Sequence, residues 1–322
     1  MKQKTIFLLL TMTLLTACTA GQISTPIVSV QPTDAPPLAS RSPTIASSQP
    51  TFSSPTAIPI IPTASPTFKP PLERDAWKQM PAVPTGVSDA MREVYQSGLI
   101  MGNDPTHFSV IGDCQNVSSY FLAVFEKPGE YNLGEEYAYL QPTIDYYQGS
   151  FSRVSVAVKG GFNAAAVISP LRADPDVCNA NESPLDCELR LWRPSVVIVS
   201  METWWSQKPE EEYAKYMRRV LDRIIETGAV PIIATKADNL EGDHAINATV
   251  AQLAYEYDIP LWNFWAAVQP LPDHGLSPDG FHLTFARNFF DDPMRMKNAW
   301  PWRNLTALQT LDVVRRGVTG GE

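Results

Sequence analysis

Apolar runs of four to six residues alternate with longer amphipathic stretches over the last two thirds of the chain. That alternation predicts strands and helices in turn. Phe108–Ile111, Val154–Val158, Ser195–Val199, Ala229–Ala234 and Pro260–Phe264 have the β-branched and aromatic content of strands. Ser195–Val199 is the strongest, a continuous apolar run of the kind a buried parallel strand carries. Between the runs, a helix is predicted from Asp89 to Ser97, capped by Ser88 and stopped near Gly98 and Gly102. A second opens at Pro209, carries Glu210, Glu211 and Glu212 in its positive first turn, and runs to about Glu226 before Gly228. Others cover about Ala245–Tyr257 and Leu308–Arg316. The spacing predicts βαβ units, hence an α/β fold with a parallel sheet covered on both faces. In such sheets sites gather at the carboxyl ends of the strands.

The first 72 residues break this pattern. Lys2 and Lys4 precede an apolar run from Ile6 to Leu15 that is too short to span a bilayer and fits the core of a secretory signal. It ends in Leu15-Thr16-Ala17-Cys18, which resembles the lipobox of bacterial lipoproteins. That resemblance implies removal of residues 1–17 and a lipid on Cys18, with several acyl chains for stable anchoring. From residue 19 to about 71 proline recurs among Ser, Thr and Ala, without a helical or strand period. The expectation is a disordered, semi-extended linker over residues 18–72 that holds a domain of residues 73–322 away from the membrane.

Charge excludes one class of partner. The chain has 25 basic and 34 acidic residues; four basic ones (Lys2, Lys4, Arg41, Lys69) and one acidic one (Asp34) precede Glu73. The remaining 21 and 33 leave residues 73–322 with a formal charge of −12. A nucleic-acid backbone is repelled by that field, so no nucleic-acid partner is expected.

Four short blocks fall at strand ends or in the last loop: Gly112-Asp113-Cys114-Gln115, Lys159-Gly160-Gly161-Phe162-Asn163, Met201-Glu202-Thr203-Trp204 and Ser277-Pro278-Asp279-Gly280-Phe281-His282. Their order and spacing over about residues 106–317 resemble the SGNH, or GDSL-type, hydrolases. The resemblance implies a three-layer α/β/α flavodoxin-like fold and hydrolysis of esters, often acyl groups on carbohydrates or lipids. It implies a nucleophile at Cys114, an oxyanion hole from the N–H groups of Cys114 and Gly161 (Gly160 the alternative), and a base, His282, oriented by Asp279. Two positions depart from the family: Cys114 stands where serine is usual, and Trp204 where an asparagine helps bind the oxyanion.

A thiol beside an imidazole is a good nucleophile. Cys18 is assigned to the lipid, and Cys178 and Cys187 are expected in one loop, so an exported chain tends to oxidise them as a pair and leave Cys114 the odd thiol. Three roles stay open for Cys114: a nucleophile, an inert core residue, or a partner to one loop cysteine. Asp279 can accept from one ring nitrogen of His282 and leave the other for the nucleophile; the bland alternative is a surface histidine at a helix start capped by Asp279. Trp204 and Trp205 offer flat surfaces for a sugar ring or pack into the core. Asn163 is a substrate-binding candidate and also an ordinary loop asparagine. Neither a metal nor a cofactor is expected.

The leading expectation is a monomeric, extracytoplasmic, membrane-anchored hydrolase of ester or thioester bonds, acting on an acylated envelope glycan or lipid. The alternative is a catalytically inactive module of the same fold that binds cell-surface carbohydrate. A purely structural envelope protein ranks third.

Overall fold

The computed structural model describes residues 69–201 and 210–321. Along the chain these form α1 (Asp89–Met101), β1 (Asp104–Gly112), β2 (Tyr131–Asn132), α2 (Gln141–Tyr146), α3 (Ala164–Val167), α4 (Pro184–Trp192), β3 (Pro194–Ser200), α5 (Glu210–Glu226), β4 (Val230–Ala234), α6 (Ala245–Tyr257), β5 (Leu261–Trp262), α7 (Phe264–Val268), β6 (Asn288–Phe289) and α8 (Ala299–Thr319). Four strands make one parallel sheet in the order β1-β3-β4-β5, and β2 and β6 pair separately. The helices pack in two groups, α1, α2 and α7 around α8, and α3, α4 and α6 around α5. Every residue of β3 and β4 is buried, as expected of parallel strands covered on both sides. None of the described helices is long and apolar enough to cross a membrane.

Local chemistry explains most boundaries. The Ser88 hydroxyl accepts from the Met91 N–H at 3.3 Å and starts α1. Gly98 does not stop that helix. A Cβ there would sit 2.0 Å from the carbonyl oxygen of Gly228, so Gly98 is the point where α1 touches the α5–β4 turn. Gly102, at φ +89°, ends the helix one turn later. Pro231 stands inside β4 without loss. Ile233 donates to Pro260 O and Thr235 to Trp262 O, so odd-numbered residues of β4 face β5. Because β5 begins opposite Ile233, no ladder partner awaits an N–H at position 231.

Two predicted strands come out differently. Residues 154–158 form no strand: a single parallel bridge, Gly112 to Val158, joins them to β1. Ser155 turns back to accept from the Ala157 N–H, and the Val156 N–H donates to Glu188, which takes the segment off the ladder. β5 covers only Leu261–Trp262, because Asn263 ends it. The buried Asn263 amide donates to the carbonyls of Trp77 and Met80, accepts from Thr235, and caps α7.

Cys178 and Cys187 form a disulfide. Cys187 is not in a loop but buried in α4, whose first turn is capped by Ser183. The last helix is more than twice as long as expected. Its inner face carries Arg303, Asn304, Thr306, Thr310 and Asp312, all buried, and these polar residues mask the apolar period.

Candidate active site

The turn that carries Cys114 follows β1 directly. Asp113 is buried, and its carboxylate accepts from the Gln115 N–H at 2.9 Å and the Asn116 amide at 3.3 Å, which closes a short 3-10 turn over Cys114–Asn116. The Asn116 amide also donates to the Ser200 carbonyl at the end of β3, at 2.8 Å. Gly112 is required beneath it, since a Cβ there would fall 2.2 Å from Asn116 Nδ2. Arg303, from α8, is 1% exposed. It donates to Asn116 Oδ1 at 3.0 Å and to Ser200 Oγ at 2.8 Å. Its guanidinium lies over the rings of Phe121, Trp262 and Phe264, at 4.9, 5.1 and 5.1 Å. A buried cation thus ties the carboxyl ends of β1 and β3 together.

On this base Cys114 is exposed and free of disulfide bonding. Its thiol titrates above the ordinary range. The protein wall behind it removes part of the water a thiolate needs, and the Asp113 charge adds repulsion. The N–H groups of Cys114 and Gln115 and the Arg303 charge offset this only in part.

The Gly160–Gly161 turn follows the bridge at Val158. A Cβ on Gly160 would meet the Cβ of Cys114 at 3.8 Å, so the two turns are in contact. Gly161 takes φ +83° with open space around it, and its N–H donates to no other described residue. Asn163 is buried and caps α3: its side-chain oxygen accepts from Ala165 and Ala166 at 3.1 and 2.9 Å. Only its amide hydrogens remain for another partner. Trp204, with Glu202 and Trp205, lies outside the described residues.

The Asp279 carboxylate accepts from the N–H groups of Phe281 and His282 at 3.0 and 2.9 Å, and its other oxygen meets His282 Nδ1 at 2.5 Å. No helix starts here. The pair belongs to a turn in which Ser277 N–H donates to His282 O and Gly280 adopts φ +69°. The bond to His282 and the two backbone N–H groups pull the Asp279 carboxyl down to about 2. The imidazole is exposed, and its Nε2 makes no hydrogen bond among the described residues.

A ring contact links the chain after each turn. Phe285, three residues past His282, meets Tyr120 edge-on at 6.5 Å, and Tyr120 lies against Trp300 at 5.6 Å. No hydrogen bond joins the Cys114 sulfur to the His282 ring among the described residues. No known family model and no curated protein matches the chain.

Sequence reasoning missed Arg303, Asn116 and Ser200. Asn116 could have been found as the polar residue two places after the thiol. A lone arginine in a helix gives no such signal.

Proposed function

We propose that this chain is a surface-anchored hydrolase of the SGNH type, acting on ester or thioester bonds of an acylated envelope glycan or lipid. One observation carries the reading: Asp279 holds the exposed His282 imidazole by Nδ1 at 2.5 Å and leaves Nε2 without a hydrogen bond among the described residues, and Phe285, three residues on, meets Tyr120, six residues after Cys114. The fold supports it. The parallel order β1-β3-β4-β5, with the Gly112–Val158 bridge on the outer side of β1, is compatible with a flavodoxin-like sheet, and Cys114 follows the carboxyl end of β1.

Turnover follows from these groups. His282 Nε2 takes the proton of Cys114 as the sulfur attacks the carbonyl carbon. The oxyanion accepts from the N–H groups of Cys114 and Gly161. The proton on Nε2 goes to the departing alkoxide or thiolate as the bond to it breaks, leaving an acyl-thioester on Cys114. Water, deprotonated by the same nitrogen, then releases the acid and restores the thiol. Burial and the Asp113 charge push the thiol up, so in this mechanism the base removes its proton in the attacking step. Export and a lipid on Cys18 are part of the same proposal.

The second reading is an inactive glycan-binding module. The raised thiol and the missing hydrogen bond from sulfur to imidazole favour it. With p-nitrophenyl acetate, the hydrolase reading expects a burst of nitrophenol that Cys114→Ala abolishes and His282→Ala slows about 10²–10⁴-fold. Turnover unchanged in Cys114→Ala, or glycan binding without any turnover, would overturn it.

A further inference from the structure

A charge is hard to keep where Arg303 sits. A guanidinium loses its hydration on burial, at a cost, and this one lies 1% exposed at the carboxyl ends of β1 and β3. Its Nη2 donates to Asn116 Oδ1 at 3.0 Å and to Ser200 Oγ at 2.8 Å, and both of these acceptors are neutral. Phe121, Trp262 and Phe264 wall the guanidinium. Packing α8 against the sheet does not by itself require such a group. Buried ionic groups exchanged for apolar side chains of similar volume often leave a protein as stable as before. What the charge does have beside it is the turn that carries Cys114.

The Asn116 side chain links the two. Its oxygen accepts from Arg303, and its amide donates to Asp113 Oδ1 at 3.3 Å and to Ser200 O at 2.8 Å. Both ends of this amide are engaged, so the turn over Cys114–Asn116 is pinned at its last residue as well as by Asp113 before its first. Within the turn, the N–H groups of Cys114 and Gln115 favour a negative sulfur. The Arg303 charge acts in the same direction, and the Asp113 carboxylate acts against it. Two other titratable groups stand on the neighbouring segments: Lys159, exposed beside the Gly160–Gly161 turn, and the exposed His282. Neither makes a hydrogen bond to the sulfur among the described residues.

Resting on the hydrolase reading of the site, we propose that Arg303 is a positioning residue for the Cys114 nucleophile. Through Asn116 it fixes the turn that holds the Cys114 N–H for the oxyanion. Its charge favours the anion as the Cys114 proton leaves for His282 Nε2. A fixed charge away from water is felt strongly and needs no rearrangement when negative charge appears. Arg303 touches neither the substrate nor the reacting atoms; it acts through Asn116 and through its field. Both actions favour the attacking step over the bound ground state. Loss of Arg303 therefore lowers kcat and kcat/KM in equal measure.

The test compares three substitutions in the full chain. Arg303→Met removes the charge at similar length, Arg303→Gln removes it but can still donate to Asn116, and Arg303→Lys keeps it on a shorter side chain. Two quantities are measured: the pH profile of Cys114 alkylation by iodoacetamide, which needs no turnover, and steady-state hydrolysis of p-nitrophenyl acetate. Cys114→Ala is the blank for both. In the Met and Gln variants the alkylation profile should move to higher pH, so that the rate at pH 7 falls about tenfold. Turnover should fall at least about tenfold, in kcat and kcat/KM alike. Arg303→Lys should alkylate within about threefold of the parent and recover part of the turnover. A neutral variant that unfolds at lower urea yet alkylates on the parent's profile gives Arg303 a purely structural role and overturns the proposal. So does a Lys variant displaced as far as the neutral ones. If neither neutral variant folds, Arg303→Lys decides, and a tenfold loss of alkylation in it overturns the proposal. A profile that moves as expected in a chain whose nitrophenyl acetate turnover is unaffected by Cys114→Ala sinks the hydrolase reading and leaves the hold of Arg303 on the thiol standing. Turnover that Cys114→Ala abolishes, with the profile unmoved in Arg303→Met, does the reverse.

Discussion

A thiol that acts as a nucleophile has to lose its proton, and the surroundings of Cys114 resist that. Desolvation and the Asp113 carboxylate both favour the neutral form. Reactivity toward an alkylating agent tracks the thiolate fraction. The rate of Cys114 carboxymethylation by iodoacetamide should therefore keep rising through neutral pH and level off only above the usual thiol range. A plateau already present at acidic pH would reveal a thiolate–imidazolium pair and refute this assignment. In Asp113→Asn the side-chain oxygen can still accept from the Gln115 N–H, while the charge is gone. The profile should move to lower pH; an unmoved profile would show that the Asp113 charge is without effect. Asp279 behaves in the opposite sense. Its carboxyl is depressed to about 2, so it stays an acceptor for His282 as pH falls and loses that role only on passing through about 2. Gly112 fixes the geometry of the same turn. Gly112→Ala brings a Cβ to 2.2 Å from Asn116 Nδ2, and urea unfolding should register a loss of about 1–3 kcal/mol.

At the scale of elements, legibility followed how completely a segment's polar groups were satisfied by its own ladder or helix. β3 and α6 came out within a residue of the apolar pattern, because nothing in them competes with regular structure. Residues 154–158 have strand composition but serve a different partner. Glu188, fully buried in α4, receives both guanidinium nitrogens of Arg153, the Ser109 hydroxyl and the Val156 N–H, and that claim on the backbone outweighs the ladder. No local pattern announces an ion pair 35 residues apart. β5 was overread for a related reason, since Asn263 gives its bonds to the chain before α1. At the candidate site, the Asp279–His282 pair was readable because its members are three residues apart, whereas Arg303 and Asn116 meet across 187. The Arg153–Glu188 pair yields a sharp expectation. Arg153→Leu strands a buried carboxylate and should lower stability by about 3–5 kcal/mol in urea unfolding. Adding Glu188→Leu to it should recover most of that loss. A single variant as stable as the parent would contradict the pairing.

For the molecule as a whole, charge and the proposed anchoring pull in different directions. The part of the chain after residue 72 carries −12, so at the anionic membrane surface of the proposed location electrostatics would hold it away. A basic stretch beside a membrane contributes roughly 1 kcal/mol per Lys or Arg, and here the balance has the wrong sign for that contribution. None of the described helices can substitute by spanning the bilayer. Under the proposed arrangement, attachment rests on the acyl chains at Cys18 alone, at roughly 0.8 kcal/mol for each buried methylene. Cys18→Ala should then move the whole population from the membrane pellet to the soluble fraction. Raising the salt should not bring it back, because screening weakens a repulsion without creating an attraction. The acyl-labelling signal from radiolabelled palmitate should vanish in the same variant. A Cys18→Ala protein that stays in the pellet and is released by salt would place the anchor in a charged surface instead, and one that stays through both treatments would place it in an apolar segment other than Cys18.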